Sequence, residues 1–203
     1  SGCFYFSGMA LNDCFDFQED SIERPSRPIP CGAIKPAVAW GIGIGLLVFG
    51  LLFAFSFSAT SGYIGAGLAI AILVYNGLVK EGFFGSLSMA SCRYLNWLLG
   101  ASFVALSVQS FVLAIPIFAY ITGLTFLSKQ ETNAQNKQAV WVCALAILAV
   151  VASCIYLIHS VFDLNTFEIF VAYGLLFVWA SLILNKLRLV FQSFSPENIQ
   201  QMI

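Results

Sequence analysis

A polytopic, all-α bundle of transmembrane helices is the fold class this sequence predicts, and three observations predict it. Hydrophobic residues make up 60% of the 203 and charged residues only 9%, against about 25% charged in a soluble domain. Six apolar runs approach the roughly 20 residues that a helix needs to cross a hydrocarbon core. Finally, the basic residues gather on alternate connections between those runs.

The runs cover residues 36–58, 61–79, 87–106, 111–127, 138–159 and 166–184, with residues 1–11 reading as the cytoplasmic end of an earlier span. Open sheets are excluded in lipid, where unpaired backbone groups find no water. A β-barrel would alternate polar and apolar residues over segments of about ten, whereas these runs are longer and uniformly apolar. Gly and Phe are abundant, 16 and 20 residues, as expected where helices pack closely in lipid.

Threading the charges through the runs fixes an orientation. Arg24, Arg27 and Lys35, then Lys80, then Lys129 and Lys137, then Lys186 and Arg188 all fall on one side. The connections 57–62, 107–110 and 160–165 carry no Lys or Arg. Arg93, the remaining basic residue, stands early in its run, near the same side. The positive-inside rule makes that side cytoplasmic. One missed or invented helix would scramble the partition, so the charges also support the spans.

Several function classes drop out. A net charge of −1 offers no footprint for nucleic acid. The cysteines (Cys3, Cys14, Cys31, Cys92, Cys143 and Cys154) form no CxxC pair and no cluster with histidine, which disfavours thiolate metal sites and redox motifs. Cys92, Cys143 and Cys154 lie in apolar runs and read as buried free thiols. His159, the single histidine, stands at the far end of its run and reads as an interfacial polar residue, and Asp163 and Glu168 near it read as solvated. The sequence starts within an apolar run without Met and stops where 198–203 resembles the opening of another helix, so we expect a fragment, partial at both ends.

One segment carries chemistry. Asn12, Asp16 and Asp20 are spaced i, i+4, i+8 and share one face of a continuing helix. Carboxylates at that spacing repel, so something cationic should sit among them. Oxygen donors suit Mg2+, which binds through one or two carboxylates plus substrate phosphates. Arg24, Arg27 and Lys35 follow at once, and guanidinium groups match phosphate oxygens in bidentate fashion. Pro25, Pro28, Pro30 and Gly32 end the helix, leaving these donors on a short surface loop. Arg93, an ionisable group in an apolar run, is a site candidate by default, or else a snorkelling cation near a helix end; Asn96, one turn on, would help polarise a cavity.

The motif Asn12-Asp13-x-x-Asp16-x-x-x-Asp20, followed by Arg24-Pro25-Ser26-Arg27-Pro28-Ile29-Pro30-x-Gly32, resembles the first aspartate-rich motif of the UbiA superfamily of intramembrane prenyltransferases. Likeness continues through Tyr75-Asn76-Gly77-Leu78-Val79-Lys80, through the helix holding Cys92-Arg93-Tyr94-Leu95-Asn96-Trp97, and to 123–131, where the second aspartate-rich motif belongs. In these details the sequence looks closest to the EboC-like branch, which implies a bacterial plasma membrane. The resemblance implies one prenyltransferase-like domain over residues 1–203. A complete member has about nine helices, of which about seven, each near 20 residues, are represented here.

It further implies that Mg2+ holds an isoprenyl diphosphate at a cavity near the cytoplasmic face, with a hydrophobic acceptor and membrane lipid as the other partners. Asn12, Asp16 and Asp20 would then serve the metal, and Arg24, Arg27, Tyr75, Lys80 and Arg93 the diphosphate, with Asp16, Tyr75 and Lys80 taking part in catalysis. The sequence departs from the family in one place. The second motif should read Asp-x-x-x-Asp, and residues 129–137 hold only Glu131 as an acid. Glu131 is then a lone ligand for a second metal, or that site is weakened. The alternative reading is a catalytically weakened relative that binds a prenyl lipid or serves metabolite transport. A secondary transporter fits less well, because no internal repeat appears and the acids cluster at one surface.

Overall fold

In the computed structural model, residues 1–104, 106–129 and 138–202 are described. All regular structure among them is helical: α1 (Gly2–Phe15), α2 (Phe17–Glu23), α3 (Pro36–Phe57), α4 (Ala59–Gly77), α5 (Gly82–Ala101), α6 (Val108–Leu113), α7 (Ile115–Ser128), α8 (Gln138–Ser160), α9 (Thr166–Gln192) and α10 (Pro196–Met202). Five stretches are long and apolar enough to cross a membrane: α3, α4, α6 with α7 (Val108–Ser128), α8 and α9. α5 forms where a sixth was expected, but Ser86, Ser88, Ser91, Arg93 and Asn96 leave it less apolar than those five.

The helices fall into two compact units. The first comprises Ser1–Lys80 with Leu95–Ala105, the second Glu81–Tyr94 with Leu106–Ile203. In the first unit α1, α3 and α4 pack on one another. α3 starts at a proline, which its first turn tolerates because no amide there needs an intrahelical partner. Its buried positions Ala39, Gly43, Leu47, Gly50 and Ala54 form one stripe of mostly small residues, which lets α1 approach closely. Ser7 of α1 donates to the Gly43 carbonyl at 2.7 Å, and a Cβ on Gly43 would stand 2.8 Å from the Leu11 side chain. Further along, a Cβ on Gly50 would meet the Phe4 ring at 3.2 Å. α4 begins at Ser58, whose hydroxyl accepts from the Ser61 amide at 3.0 Å, and Ser61 in turn bonds Ser102 at 2.8 Å.

In the second unit α7 packs on α8, α8 on α9, and α10 against α7 and α9. Phe126, Leu127, Val140, Cys143, Ile147 and Val190 are among its core residues. Gly123 permits a close α7–α8 approach, since a Cβ there would meet Ala146 at 2.5 Å. Lys129, at the end of α7, donates to the Gly82 carbonyl at 3.0 Å. α9 opens with a capping box in which the Asn165 side chain accepts from the Glu168 amide and the Glu168 carboxylate from the Asn165 amide. Glu168 therefore caps a helix, and is more than the solvated acid expected.

Other expectations shift in detail. α9 continues past 184 to Gln192, which puts Lys186 and Arg188 on the helix and not on a connection. At 1.5 Å per residue its 27 residues exceed a hydrocarbon core of about 30 Å. His159 pairs with Tyr173 at 2.5 Å across α8 and α9. Cys143 is buried as expected, whereas Cys92 and Cys154 are half-buried; all three are free.

The close α1–α3 contact yields a test. Gly43→Val should lower stability by about 2 kcal/mol through overpacking against Leu11, read as a lower unfolding midpoint in detergent. Gly45→Val, where a Cβ meets nothing within 4 Å, should change it little.

Candidate metal and diphosphate site

The acidic motif sits where α1 gives way to α2. Asp16 has φ −83° and ψ 1°, a turn conformation that interrupts the helix for one residue without breaking its hydrogen bonds. The Asp16 amide still donates to the Asn12 carbonyl at 3.0 Å, and the Asp20 amide to the Asp16 carbonyl at 2.8 Å. The expected face therefore survives, with Asn12, Asp16 and Asp20 one above the next.

Each acid has a cation or donor. Asn12 Nδ2 donates to Asp16 Oδ2 at 2.9 Å, and Lys80 Nζ pairs with the same oxygen from just beyond α4. Arg27 Nη1 reaches Asp20 Oδ2 at 2.6 Å and Asp13 Oδ1 at 3.3 Å. Asp20 is buried at 4% exposure, where an unpaired carboxylate would be costly. Arg27 meets that need.

The loop that carries Arg27 is anchored. Ile29 is buried and packs with Cys14, Ala39 and Trp40, drawing residues 24–35 back over the start of α3. Backbone bonds tighten the turn, from the Cys31 amide to the Arg27 carbonyl and from the Ile34 amide to the Pro28 carbonyl, both at 3.0 Å. Gly32 ends it at φ +79°, a conformation costly for any residue with a Cβ. An ordinary solvated loop would lack this apolar anchor.

The remaining candidates divide. Tyr75 is half-buried on α4, five positions before Lys80. Arg24 is exposed and forms no ion pair among the described residues. Arg93 is exposed on α5, in the part that belongs to the second unit. Glu131 lies outside the described residues. Two side chains escaped the sequence reading. Asp13 shares Arg27, and Asn76 is buried on α4 with its Oδ1 unpartnered. A polar residue inside an apolar run is itself a signal, and Asn76 carried it unread.

Among the described residues no group of three His, Cys, Asp or Glu side chains forms a ready metal cage. The donors present are all oxygen: three carboxylates, the Asn12 amide and the orphan Asn76 Oδ1. That set fits a hard divalent cation that arrives with phosphate ligands of its own. Burial, reinforced by the Asp13 charge, pushes the Cys14 thiol above its ordinary pKa.

The UbiA prenyltransferase family matches residues 2–194, and the chain belongs to that family. It is an integral, multi-pass membrane protein. Among its relatives is digeranylgeranylglyceryl phosphate synthase of Methanosarcina mazei, 35% identical over 120 residues, which are 56% of this chain and 42% of the relative. The synthase of that name from Methanosarcina barkeri is 36% identical over 97 residues, 47% of this chain and 34% of its own length. The chain thus matches less than half the length of these relatives. A solved structure described as giving "structural and mechanistic insights into the biosynthesis of Digeranylgeranylglyceryl phosphate synthase in membranes" superposes with a TM-score of 0.72, covering 100% of this chain and 78% of that one at 18% identity, so it shares the fold.

The ion pairs predict a contrast between neighbouring arginines. Arg27→Ala strands a buried Asp20 and should cost about 2–3 kcal/mol, toward the lower end for a broken buried pair because Arg27 is a third exposed. Arg24→Ala should stay within about 0.5 kcal/mol. Unfolding midpoints in detergent read both.

Proposed function

We propose that the protein is a Mg2+-dependent membrane prenyltransferase that moves an isoprenyl group from its diphosphate to a hydrophobic acceptor. The observation that carries this reading is the cluster itself: Asp16 held by Lys80 and Asn12, with Asp20 held by Arg27. Family membership supports it. In this reading residues 1–203 are part of one prenyltransferase domain, and the basic connections favour a cytoplasmic face for the motif. The EboC-like affiliation and the bacterial membrane stay expectations of the resemblance; the relatives named above are archaeal.

When bound, Mg2+ neutralises charge on the diphosphate and so eases departure of the leaving group. Asn12 and Asp16 offer it oxygens, with Asp20 in support. Lys80 and Arg27, which pair with the acids in this structure, would serve the phosphate oxygens when metal and diphosphate are bound. Tyr75 and Arg24 lie on the diphosphate side. Arg93 and Glu131 enter from the resemblance alone, as a diphosphate cation and a second-metal ligand. The allylic C–O bond breaks with its electron pair leaving on pyrophosphate. The carbocation is then captured by an electron-rich oxygen or carbon of the acceptor, which loses a proton. Apolar helices exclude the water that would otherwise capture it. The relatives' name makes geranylgeranyl the first chain to try, and a glyceryl phosphate or an aromatic compound the first acceptor.

A second reading, a weakened relative that binds prenyl lipid or serves transport, is favoured by one observation: Glu131 is the only acid in residues 129–137. Full-length protein in membranes, supplied with geranylgeranyl diphosphate, acceptor and Mg2+, separates the two. The prenyltransferase reading expects pyrophosphate release that stops on chelation and returns with added Mg2+. Binding without release would favour the second. Asp16→Asn should cut release by at least about a hundredfold; sustained turnover in that variant would remove Asp16 from the site.

A further inference from the structure

Asn76 is a buried polar side chain whose oxygen no described residue satisfies. It is 8% exposed, and Oδ1 has no hydrogen-bond partner among the described residues. Buried acceptors are nearly always paired, and an orphan calls for water, an ion or a ligand.

Its position says which. α1 and α4 run parallel, and their contacts climb in step. A Cβ on Gly65 would meet the Phe4 ring at 3.3 Å, and one on Gly8 would meet Ile72 at 3.8 Å. A Cβ on Gly77 would meet the Phe15 ring at 3.2 Å, and Lys80 pairs with Asp16. Residues four apart share a helix face. One turn above the Gly8–Ile72 level therefore stand Asn12 and Asn76, and one turn further Asp16 and Lys80. Asn76 closes the buried stripe Ser61, Gly65, Leu68, Ile72 on α4, so it faces the packed interior and not lipid. The orphan oxygen lies on the layer of the motif's first residue.

We propose that Asn76 supplies an α4 oxygen to the metal–diphosphate site, taking the divalent cation directly or through one of the waters that Mg2+ retains. The proposal rests on the reading of Asn12 and Asp16 given above. It extends that site from one helix to two. It also explains why a helix whose other buried positions beyond Ser61 are Gly, Leu, Ala and Ile keeps an amide there. Were the amide only a packing residue, replacing it by leucine would remove an unsatisfied polar group and leave metal binding alone.

The test uses full-length protein in detergent micelles, with Mn2+ as a paramagnetic stand-in for Mg2+ and inorganic pyrophosphate as the phosphate ligand. Binding of the manganese–pyrophosphate complex is read from the electron paramagnetic resonance signal, and unfolding midpoints are recorded for each variant. Asn76→Leu should weaken binding at least about tenfold, the usual loss when a supporting residue of a metal site is removed. Asn76→Asp, which keeps an oxygen at the same reach, should bind at least as tightly as the parent. Asp16→Asn should also lose binding. Should Asn76→Leu bind like the parent and melt higher while Asp16→Asn loses the complex, the proposal is overturned and the proposed function stands. If Asp16→Asn binds like the parent, the motif reading falls and takes this proposal with it. If Asn76→Leu does not fold, Asn76→Asp decides alone, and weaker binding there overturns the proposal.

Discussion

Lys80 and Asp16 are 64 residues apart in the chain, and their contact ties the end of α4 to the end of α1. The rest of the site depends on this ion pair. A helix face carrying Asn12, Asp16 and Asp20 beside an apolar bundle is unstable on charge grounds unless cations reach it. Lys80 from one side and Arg27 from the other supply them. Because both cations are held by hydrogen-bonded carboxylates and not by a rigid cage, the same groups can part when a stronger counter-charge arrives. On the proposed reading, a ligand bringing its own metal and its own phosphates would exchange with them partner for partner.

The packing beneath the site makes that geometry possible. Small residues along α3 let α1 lie close, with Ser7 bonding the Gly43 carbonyl, so the level of each α1 residue against α3 and α4 is fixed. Once Phe4 and Gly8 are in place, the positions of Asn12 and Asp16 follow one and two turns on. The loop gains its order from one apolar contact, Ile29 under Cys14 and Trp40, which returns Arg27 to the acids. Structural packing and site electrostatics are thus continuous along α1.

Much of the fold was legible because lipid narrows the choices. Long apolar runs with basic residues at alternate connections locate the helices, and the runs at 36–58 and 138–159 agree with α3 and α8 to within a residue or two. The boundaries that moved did so for local reasons. Gly82, at φ +60°, lets α5 begin five residues earlier than the run at 87, and Ala114 interrupts the helix just before Pro116, splitting α6 from α7. The acidic face was readable from spacing alone. Which arginine would return to it was not, since Arg24 and Arg27 differ only through the burial of Ile29, a tertiary effect. Asn76 was hidden for the opposite reason. It stands inside an apolar run next to a more conspicuous tyrosine, and its importance appears only when the α1–α4 register is known.

The account turns on whether the resting ion pairs are place-holders for a bound metal and diphosphate. A structure of the full-length protein with Mg2+ and a prenyl thiolodiphosphate, which resists ionisation, addresses this directly. The account predicts Lys80 and Arg27 turned onto diphosphate oxygens, with Asn12 and Asp16 on the metal. A diphosphate bound elsewhere, with Lys80 still on Asp16, would contradict it.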